Sequence, residues 1–351
     1  MGSLARVLGA TAATLLLAAP GGAADPTDQL RNLLRVRAQA AYAGRQLIIT
    51  RDAGLVRTLV VRVERDPVGW TRLVYRPVGG RGWFVVFQHG TTQLAYDPRR
   101  GLVRRSTLPR WEAFPLEDHL VWLQENYRVR ASPGKTLGRP TLRLELIPKF
   151  PDRPRARFEI DLETGVFLRS ERFTPDGRLG ELTAFLTFEL RPPGWRRSLS
   201  VPRAARLIVD PAPQAVREGE LPARLGVQPI AFSPPPGFHH VVDLLVPGRG
   251  VTVQRVYSDG LSVLVVHQHR GSIPRPAAGS RMVRRAGGPV WVQQVGMRTA
   301  VHWTRGGWLL TATGDLAPEA LLRVAEATGV DPGPRLVDHL FAWLRALGLP
   351  I

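Results

Sequence analysis

Apolar and polar residues alternate along much of the first half of the chain, as they do in half-buried β-strands. At 55–66, leucine and valine alternate with arginine and glutamate in LVRTLVVRVERD. Three later segments alternate in the same way: TLRLELIP at 141–148, RARFEIDLETG at 155–165 and ELTAFLTFEL at 181–190. Turn-forming pairs such as Asp176-Gly177 separate the segments, so the pattern predicts one antiparallel sheet with a single apolar face.

The predicted sheet is long enough to curve strongly into a half-open barrel with helices covering it. Eight apolar side chains are expected along its inner face: Leu59, Val61, Val63, Leu73, Leu144, Phe158, Ile160 and Leu162. Such a face either closes on helices as an ordinary core or encloses a groove for an apolar ligand. An acyl chain in that groove would contribute about 0.8 kcal/mol for each buried methylene. Composition favours the ordinary core, and the groove stays open as an alternative.

Four stretches have helical periodicity or helix-start residues: 25–44, 111–127, 318–328 and the C-terminal tail 331–351. Asp25-Pro26 and Pro318 suit the first turns of their helices. The tail is amphipathic, so it could dock on its own chain, on a partner or at a membrane surface.

The second half of the chain predicts a smaller antiparallel domain. Its strands are expected at about 241–246, 251–257, 261–269, 290–296, 299–304 and 307–313. The stretch before it is rich in proline and arginine and predicts an interdomain linker. The expected order is a signal peptide at 1–24, a first domain at 25–195, a linker at 196–228, a second domain at 229–330 and the tail at 331–351. The fold class is therefore α+β, mainly β.

The first two dozen residues have the layout of a secretory signal peptide. Arg6 precedes the short apolar run VLGATAATLLLAA, and small residues up to Ala24 suit cleavage. We therefore expect an exported, periplasmic protein that is soluble once the peptide is removed. The chain contains no cysteine, which excludes disulfides, thiol catalysis and cysteine-based zinc sites.

The chain carries a formal net charge of +19, almost all of it from arginine. Such a surface attracts the phosphates of anionic lipid, lipopolysaccharide or nucleic acid. The arginines are scattered between apolar residues and do not cluster with aromatic ones, so no nucleic-acid surface is expected. An arginine-rich composition on a solvated face explains the charge equally well.

Histidine and carboxylate groups are the strongest candidates for chemistry. His267 and His269 lie two residues apart on a predicted strand, but zinc needs a third or fourth ligand, and no acidic residue lies at ligand spacing. We expect them on the polar outer face of a strand whose inner face holds Val263 and Val265.

Carboxylates alternate at Glu159, Asp161 and Glu163, where we expect them to be solvated and paired with arginines. General acid–base catalysis would need a sheltered pocket. With no nucleophile, phosphate-loop or metalloprotease motif in the chain, we predict no catalytic residue, no metal and no cofactor, and hence no enzyme.

The order of the motifs resembles the MucB/RseB regulators of envelope stress, whose larger domain shares its fold with periplasmic lipoprotein carriers. In the first domain the resemblance rests on AYAGRQLIITR at 41–51, TQLAYDPRRG at 92–101 and DLETGVFLRSERFTPDGRLGELTAFLTFEL at 161–190. In the second it rests on PPPGF at 234–238, VYSDGLSVLVV at 256–266 and WTRGGWLLTATGDLAPEALLRVAEA at 303–327.

The resemblance implies a two-domain periplasmic protein without enzymatic activity. Its smaller domain would bind the exported segment of a membrane-spanning anti-sigma factor and shield that factor from regulated proteolysis. Its larger domain would sense lipid, lipopolysaccharide or a lipoprotein acyl chain, and so release the partner. The partner-binding hairpin is expected to comprise Tyr257, Ser258, Asp259, Gly260 and Leu261, with Asp259-Gly260 forming its tight turn. The alternative is a lipid or lipoprotein carrier with no signalling partner.

Overall fold

The computed structural model describes residues 25–52, 55–79, 82–107, 116–190, 205–247, 252–271 and 279–331. In these ranges the chain is mainly β, with two large sheets and a few short helices. The predicted signal peptide and all of the predicted tail beyond Asp331 lie outside the described residues. No helix in the described ranges is both long and apolar enough to span a bilayer.

The helices are α1 (Pro26–Arg37), α2 (Leu116–Asn126), α3 (Leu221–Leu225) and α4 (Pro318–Thr328). The Asp25 carboxylate caps α1 by accepting a hydrogen bond from the backbone N–H of Thr27 at 2.9 Å. Helix α1 ends at Arg37, earlier than predicted, and a turn follows it at 38–39. Helix α4 has the predicted bounds, with Pro318 in its first turn.

Twelve strands form the larger sheet: β1 (Tyr42–Asp52), β2 (Leu55–Arg65), β3 (Thr71–Pro77), β4 (Phe84–His89), β5 (Thr92–Asp97), β6 (Leu102–Thr107), β7 (Tyr127–Thr136), β8 (Arg139–Pro148), β9 (Arg155–Asp161), β10 (Phe167–Phe173), β11 (Leu179–Leu190) and β12 (Arg206–Val209). Their order is β12-β6-β5-β4-β3-β2-β1-β11-β10-β9-β8-β7. Every neighbouring pair is antiparallel except β12 and β6.

Eight strands form the smaller sheet: β13 (Gln214–Val216), β14 (His239–Val246), β15 (Thr252–Ser258), β16 (Val263–Arg270), β17 (Arg281–Arg285), β18 (Gly288–Val295), β19 (Arg298–Arg305) and β20 (Trp308–Gly314). Their order is β13-β14-β15-β16-β20-β19-β18-β17. Helix α4 packs on one face of this sheet and buries Trp303, Leu310 and Leu321 completely. The six predicted strands are all present, whereas β17 was not predicted.

The stretch predicted as an interdomain linker holds secondary structure in its described part. Strand β12 joins the larger sheet and β13 joins the smaller one. Both strands are short and lie in a proline-rich stretch, so the sequence shows no alternation of apolar and polar residues there.

Seven of the eight predicted inner-face residues lie in two apolar clusters of the larger sheet. Leu144 and Ile160 are fully buried beneath α1 and α2, with Phe158 half-buried beside them. Val61 and Val63 are buried in a second cluster with Tyr42 and Phe185, where Leu59 and Leu73 are half-buried. The helices therefore close one part of the face as an ordinary core.

The predicted inner-face position of Leu162 is wrong. Strand β9 ends at Asp161, and the Leu162 side chain is 45% exposed. The strand stops there because the Asp161 carboxylate accepts hydrogen bonds from the backbone N–H and the hydroxyl of Thr164, at 3.0 and 2.7 Å, which fold the chain into a turn.

The expected solvation of the neighbouring carboxylates is also wrong for two of the three. Asp161 is fully buried and receives two hydrogen bonds from the Arg139 guanidinium, at 2.7 and 3.0 Å. Burial opposes ionisation of Glu159, but hydrogen bonds from Thr136 and Arg143 outweigh it and lower the pKa of that carboxyl. Only Glu163 is exposed. The expected pairing with arginine is confirmed, so these groups are structural ion pairs.

Candidate functional site

The hairpin at 257–261 closes with the predicted tight turn. The Asp259 carboxylate Oδ1 accepts hydrogen bonds from the backbone N–H groups of Leu261 and Ser262, at 3.0 and 2.6 Å. Gly260 has φ of 93°, which favours glycine because it has no Cβ. Asp259 Oδ1 therefore stabilises the turn, and the second carboxylate oxygen, Oδ2, is available to bond a different partner.

That hairpin lies against helix α2 of the larger sheet. A Cβ atom at Gly260 would lie 2.7 Å from the carbonyl oxygen of His119 and 2.7 Å from Cα of Leu123. Leu261 packs into the apolar cluster beneath α1 and α2. Glycine is thus required at this position both for its φ and for the close approach of the helix backbone.

A buried ion pair joins the hairpin to the loop before β9. The second oxygen of Asp259, Oδ2, accepts hydrogen bonds from Arg153 Nη1 at 2.6 Å and from the Tyr127 hydroxyl at 3.0 Å. The side chains of Arg153 and Asp259 are 1% and 0% exposed. The Arg153 guanidinium also lies 4.8 Å from the ring centroid of Phe150 and 4.4 Å from that of Phe238. Two charges this deeply buried are stable only because they meet each other.

Tyr127 remains a hydrogen-bond donor at this contact. Burial and the nearby Asp259 carboxylate raise the pKa of its phenol far above the ordinary value. The neutral hydroxyl therefore donates to the carboxylate at any physiological pH.

Asn126, the last residue of α2, connects three backbone segments. Its amide Nδ2 donates to the carbonyl oxygens of Trp122, Gly237 and Asp259, at 2.8, 2.9 and 3.2 Å. Its Oδ1 accepts from Arg153 Nη1 at 3.3 Å. We call Asn126, Tyr127, Arg153 and Asp259 the inter-sheet cluster. It binds both the PPPGF and the YSDGL segments to the larger sheet.

A second contact between the sheets lies at the start of α4. Arg172 pairs with Asp315 at 2.6 Å, and Arg323 pairs with Asp152 at 3.2 Å. The backbone N–H of Ala317 donates to the carbonyl oxygen of Asp152 at 3.0 Å. The smaller sheet therefore contacts the larger one both through the hairpin and through the start of α4, on the neighbouring residues Arg153 and Asp152.

The histidines of β16 lie on the face of the smaller sheet that is opposite to α4. His267 and His302 flank Thr311 across three neighbouring strands, and His302 Nδ1 lies 2.9 Å from the Thr311 hydroxyl oxygen. Burial, then the neighbouring His269 and His302, lowers the pKa of His267, and burial lowers that of His302. Both rings are therefore neutral at pH 7.

The predicted arrangement of the valines around these histidines is wrong. The buried face of β16 holds Leu264 and Val266, whereas Val263 and Val265 share the histidine face because all four are at odd positions. In the described ranges, no three histidine, aspartate or glutamate side chains are arranged to hold a metal ion.

Comparison by sequence finds no matching protein-family model and no matching curated protein. Among solved structures, the complex of MucA and MucB from Pseudomonas aeruginosa matches with a TM-score of 0.55 and 18% identity, over 88% of this chain and 99% of that chain. MucB in complex with MucA(peri) matches with a TM-score of 0.54 and 18% identity, over 86% of this chain and 97% of that chain. A structure of MucB matches with a TM-score of 0.51 and 18% identity, over 89% and 99%. The chain has the MucB fold.

In this MucB fold, the hairpin predicted to bind a partner faces the larger sheet. Tyr257, Ser258 and Asp259 are buried, and Gly260 and Leu261 are half-buried. Tyr257 packs in the core beneath α4. A partner could reach Asp259 and Leu261 only if the two sheets moved apart. The hairpin therefore acts first as a contact inside the chain.

Sequence reasoning missed the residues of the larger sheet that hold the hairpin, namely Asn126, Tyr127 and Arg153. One signal was available for Arg153, because it lies in the proline-bounded turn FPDRP beside Phe150. Nothing in the local pattern places it next to Asp259, which is 106 residues away.

Proposed function

We propose that this chain is an exported regulatory protein that binds the exported segment of a membrane anti-sigma factor and responds to lipid or lipoprotein. The observation that carries the proposal is the MucB fold, which extends over 88% of the chain. Two of the matching structures contain MucB together with MucA. The motif resemblance found in the sequence supports the same assignment from independent features.

The two sheets correspond in this proposal to two domains with separate tasks. The larger, with residues 25–195, would sense the lipid through a strongly curved sheet. The smaller, with residues 229–330, would bind the partner, with 196–228 connecting them. Lipid can release the partner only if it binds the partner-free conformation more tightly.

The apolar face of β2, β3 and β4 in the larger sheet supports a lipid-binding role. Tyr75 and Phe84 stack there with ring centroids 4.4 Å apart, on the same face as Leu59 and Val61. Leu59 and Leu73 are half-buried, and Phe84 is 40% exposed. An acyl chain would bury this apolar surface further, and the net charge of +19 would attract the phosphates of its headgroup.

A binding role without catalysis agrees with the state of the titratable groups. Among the fully buried carboxylates, Asp161 and Asp259 are both paired with arginine. Neither is free to transfer a proton to a substrate.

The proposal is tested with a chain beginning at residue 25 and the exported segment of a single-span anti-sigma factor encoded beside its gene. Binding is measured with and without vesicles of anionic phospholipid, and zwitterionic vesicles serve as the control. We expect binding in buffer and release by the anionic vesicles. An absence of binding under every condition would reject the regulator and leave the carrier.

The carrier alternative has one observation in its favour. A cavity of about 670 Å³ opens beside the end of α1, with Val36, Ala40 and Leu190 among its lining residues. A carrier would retain acyl lipid during purification, and mass spectrometry of the extracted protein would detect it. It would bind that lipid equally well with and without the anti-sigma segment.

A further inference from the structure

Strand β7 forms one edge of the larger sheet. It has ten residues and pairs with β8 on one side, and in the described ranges no strand pairs with its other side. A free edge presents a row of backbone N–H and C=O groups to which another extended segment can bond.

The direction of those backbone groups follows from the pairing of β7 with β8. Lys149 N–H donates to the Asn126 carbonyl at 2.8 Å, so this pair is a hydrogen-bonded one. The register continues with Tyr127 opposite Pro148, and bonded and non-bonded pairs alternate. Arg128 and Arg130 therefore bond to β8, whereas Val129 and Ala131 direct their N–H and C=O groups outward.

The prolines of the two strands agree with this assignment. Pro133 on β7 faces Leu142, and Pro140 and Pro148 on β8 face Lys135 and Tyr127. All three fall at non-bonded positions, where the missing N–H costs no ladder hydrogen bond.

The side chains of β7 present a different character on each face. Arg128 and Arg130 are exposed on the outer face. Glu145, opposite Arg130, already lies near Arg155 and Arg157, at 3.7 and 3.6 Å, so positive charge is in excess there. On the inner face, Val129 and Ala131 pack against the apolar cluster under α1 and α2.

We propose that an extended acidic segment of a partner protein adds to this edge as a further strand. Its carboxylates would lie beside Arg128 and Arg130, and its small apolar side chains beside Val129 and Ala131. Backbone hydrogen bonds would supply affinity, and the alternation of acidic and apolar residues would supply specificity. This inference rests on the proposed function, since the segment is taken to belong to the exported part of the anti-sigma factor.

Strand β17 is the edge of the smaller sheet and offers a matched control. It has five residues, half the length of β7, and it also carries two exposed arginines, Arg281 and Arg284. Reversing both arginines on either edge changes the net charge equally, so the two double variants separate a local site from general attraction.

The test uses a fluorescent ten-residue peptide of alternating glutamate and valine, with a lysine–valine peptide as its charge control. The chain from residue 25 should bind only the acidic peptide. R128E/R130E should weaken binding by roughly tenfold or more, and R281E/R284E by less than about threefold. Ala131→Pro removes one outward N–H, leaves the arginines intact and should also weaken binding by roughly tenfold.

Two further measurements make the outcome decisive. In the unaltered chain, peptide should slow amide exchange at Val129 and Ala131. The exported anti-sigma segment should compete with the peptide.

Absence of peptide binding to the unaltered chain would overturn the proposal. Equal loss with R281E/R284E would overturn it too, as would equal binding by the β7 variants. If the β7 variants bound the peptide as tightly as the unaltered chain, the role remaining for the β7 arginines would be to prevent edge-to-edge aggregation. If the anti-sigma segment bound the β7 variants as tightly as the unaltered chain, the proposed function would stand without this edge. If the acidic peptide bound at β7 and the segment bound nowhere, the edge site would stand and the proposed function would fall.

Discussion

At the scale of single residues, the ion pair of Arg153 and Asp259 is the contact with the largest expected effect. Asp259→Asn would leave the buried guanidinium without an ionised partner and should lower the free energy of unfolding by about 3 kcal/mol, measured by urea denaturation. Glu220→Gln is the control, because Glu220 and Arg224 form an exposed pair that should contribute less than about 1 kcal/mol. Similar losses in the two variants would contradict the importance of burial.

The two histidines flanking Thr311 make stability depend on pH in the acidic range. Burial lowers the pKa of His267 and of His302, and the unfolded chain has the ordinary value of about 6.5. Above about pH 6.5 both rings are neutral in both states, so their contribution to stability is fully present. As pH falls, the unfolded chain takes up protons that the fold resists, and this contribution is lost through the lowered folded-state pKa.

The double variant H267Q/H302Q removes this titration. Its free energy of unfolding should therefore change less than that of the unaltered chain between about pH 7 and pH 5. Urea denaturation at a series of pH values gives the two slopes. Parallel slopes would show that the histidines are not the cause.

At the scale of elements, two Asp-Gly hairpins allow the contact with α2 to be isolated. Gly177 and Gly260 both have positive φ, of 82° and 93°. A Cβ at Gly177 would meet nothing within 4 Å, whereas one at Gly260 would press on the backbone of α2. Gly177→Ala should cost about 1 kcal/mol for its φ alone. Gly260→Ala should cost at least about 2 kcal/mol more, by urea denaturation, because α2 must shift. Equal costs would mean that the hairpin does not depend on α2.

The four alternating segments of the larger sheet, which form β2, β8, β9 and β11, were predictable from the sequence for a physical reason. Strands of the larger sheet bury one face, so their period of two is written in the residues, and α4 carries its proline and apolar stripe. Leu162 was misplaced because a turn stabilised by Asp161 ends the strand one residue earlier. Strand β17 has the sequence RMVRR, with no apolar alternation to reveal it.

At the scale of the whole molecule, the contact between the sheets was beyond prediction. Asp259 could be assigned to a turn from its neighbour Gly260, since that depends on adjacent residues. Its bond to Arg153 depends on how two distant segments meet, and a single sequence has no local signal for such pairing. The sequence therefore identified the hairpin but not the residues of the larger sheet that contact it.

The two places where the sheets meet should make the chain unfold as one unit. Arg172 pairs with Asp315 and Arg153 pairs with Asp259, so each ion pair joins the smaller sheet to the larger one. In calorimetry we expect a single transition for the unaltered chain from residue 25, and two for D259N/D315N, because each sheet keeps its own core when the coupling is lost.

The control for this experiment is E163Q/E220Q, which changes two exposed carboxylates away from the contact and should keep one transition. A single transition in D259N/D315N would mean that other contacts couple the sheets. If the sheets do separate in this variant, the free energy of the contacts between them sets a minimum for any ligand that acts by parting the sheets. A lipid that releases a partner by parting the sheets must prefer the parted state by at least the energy of these two ion-paired contacts.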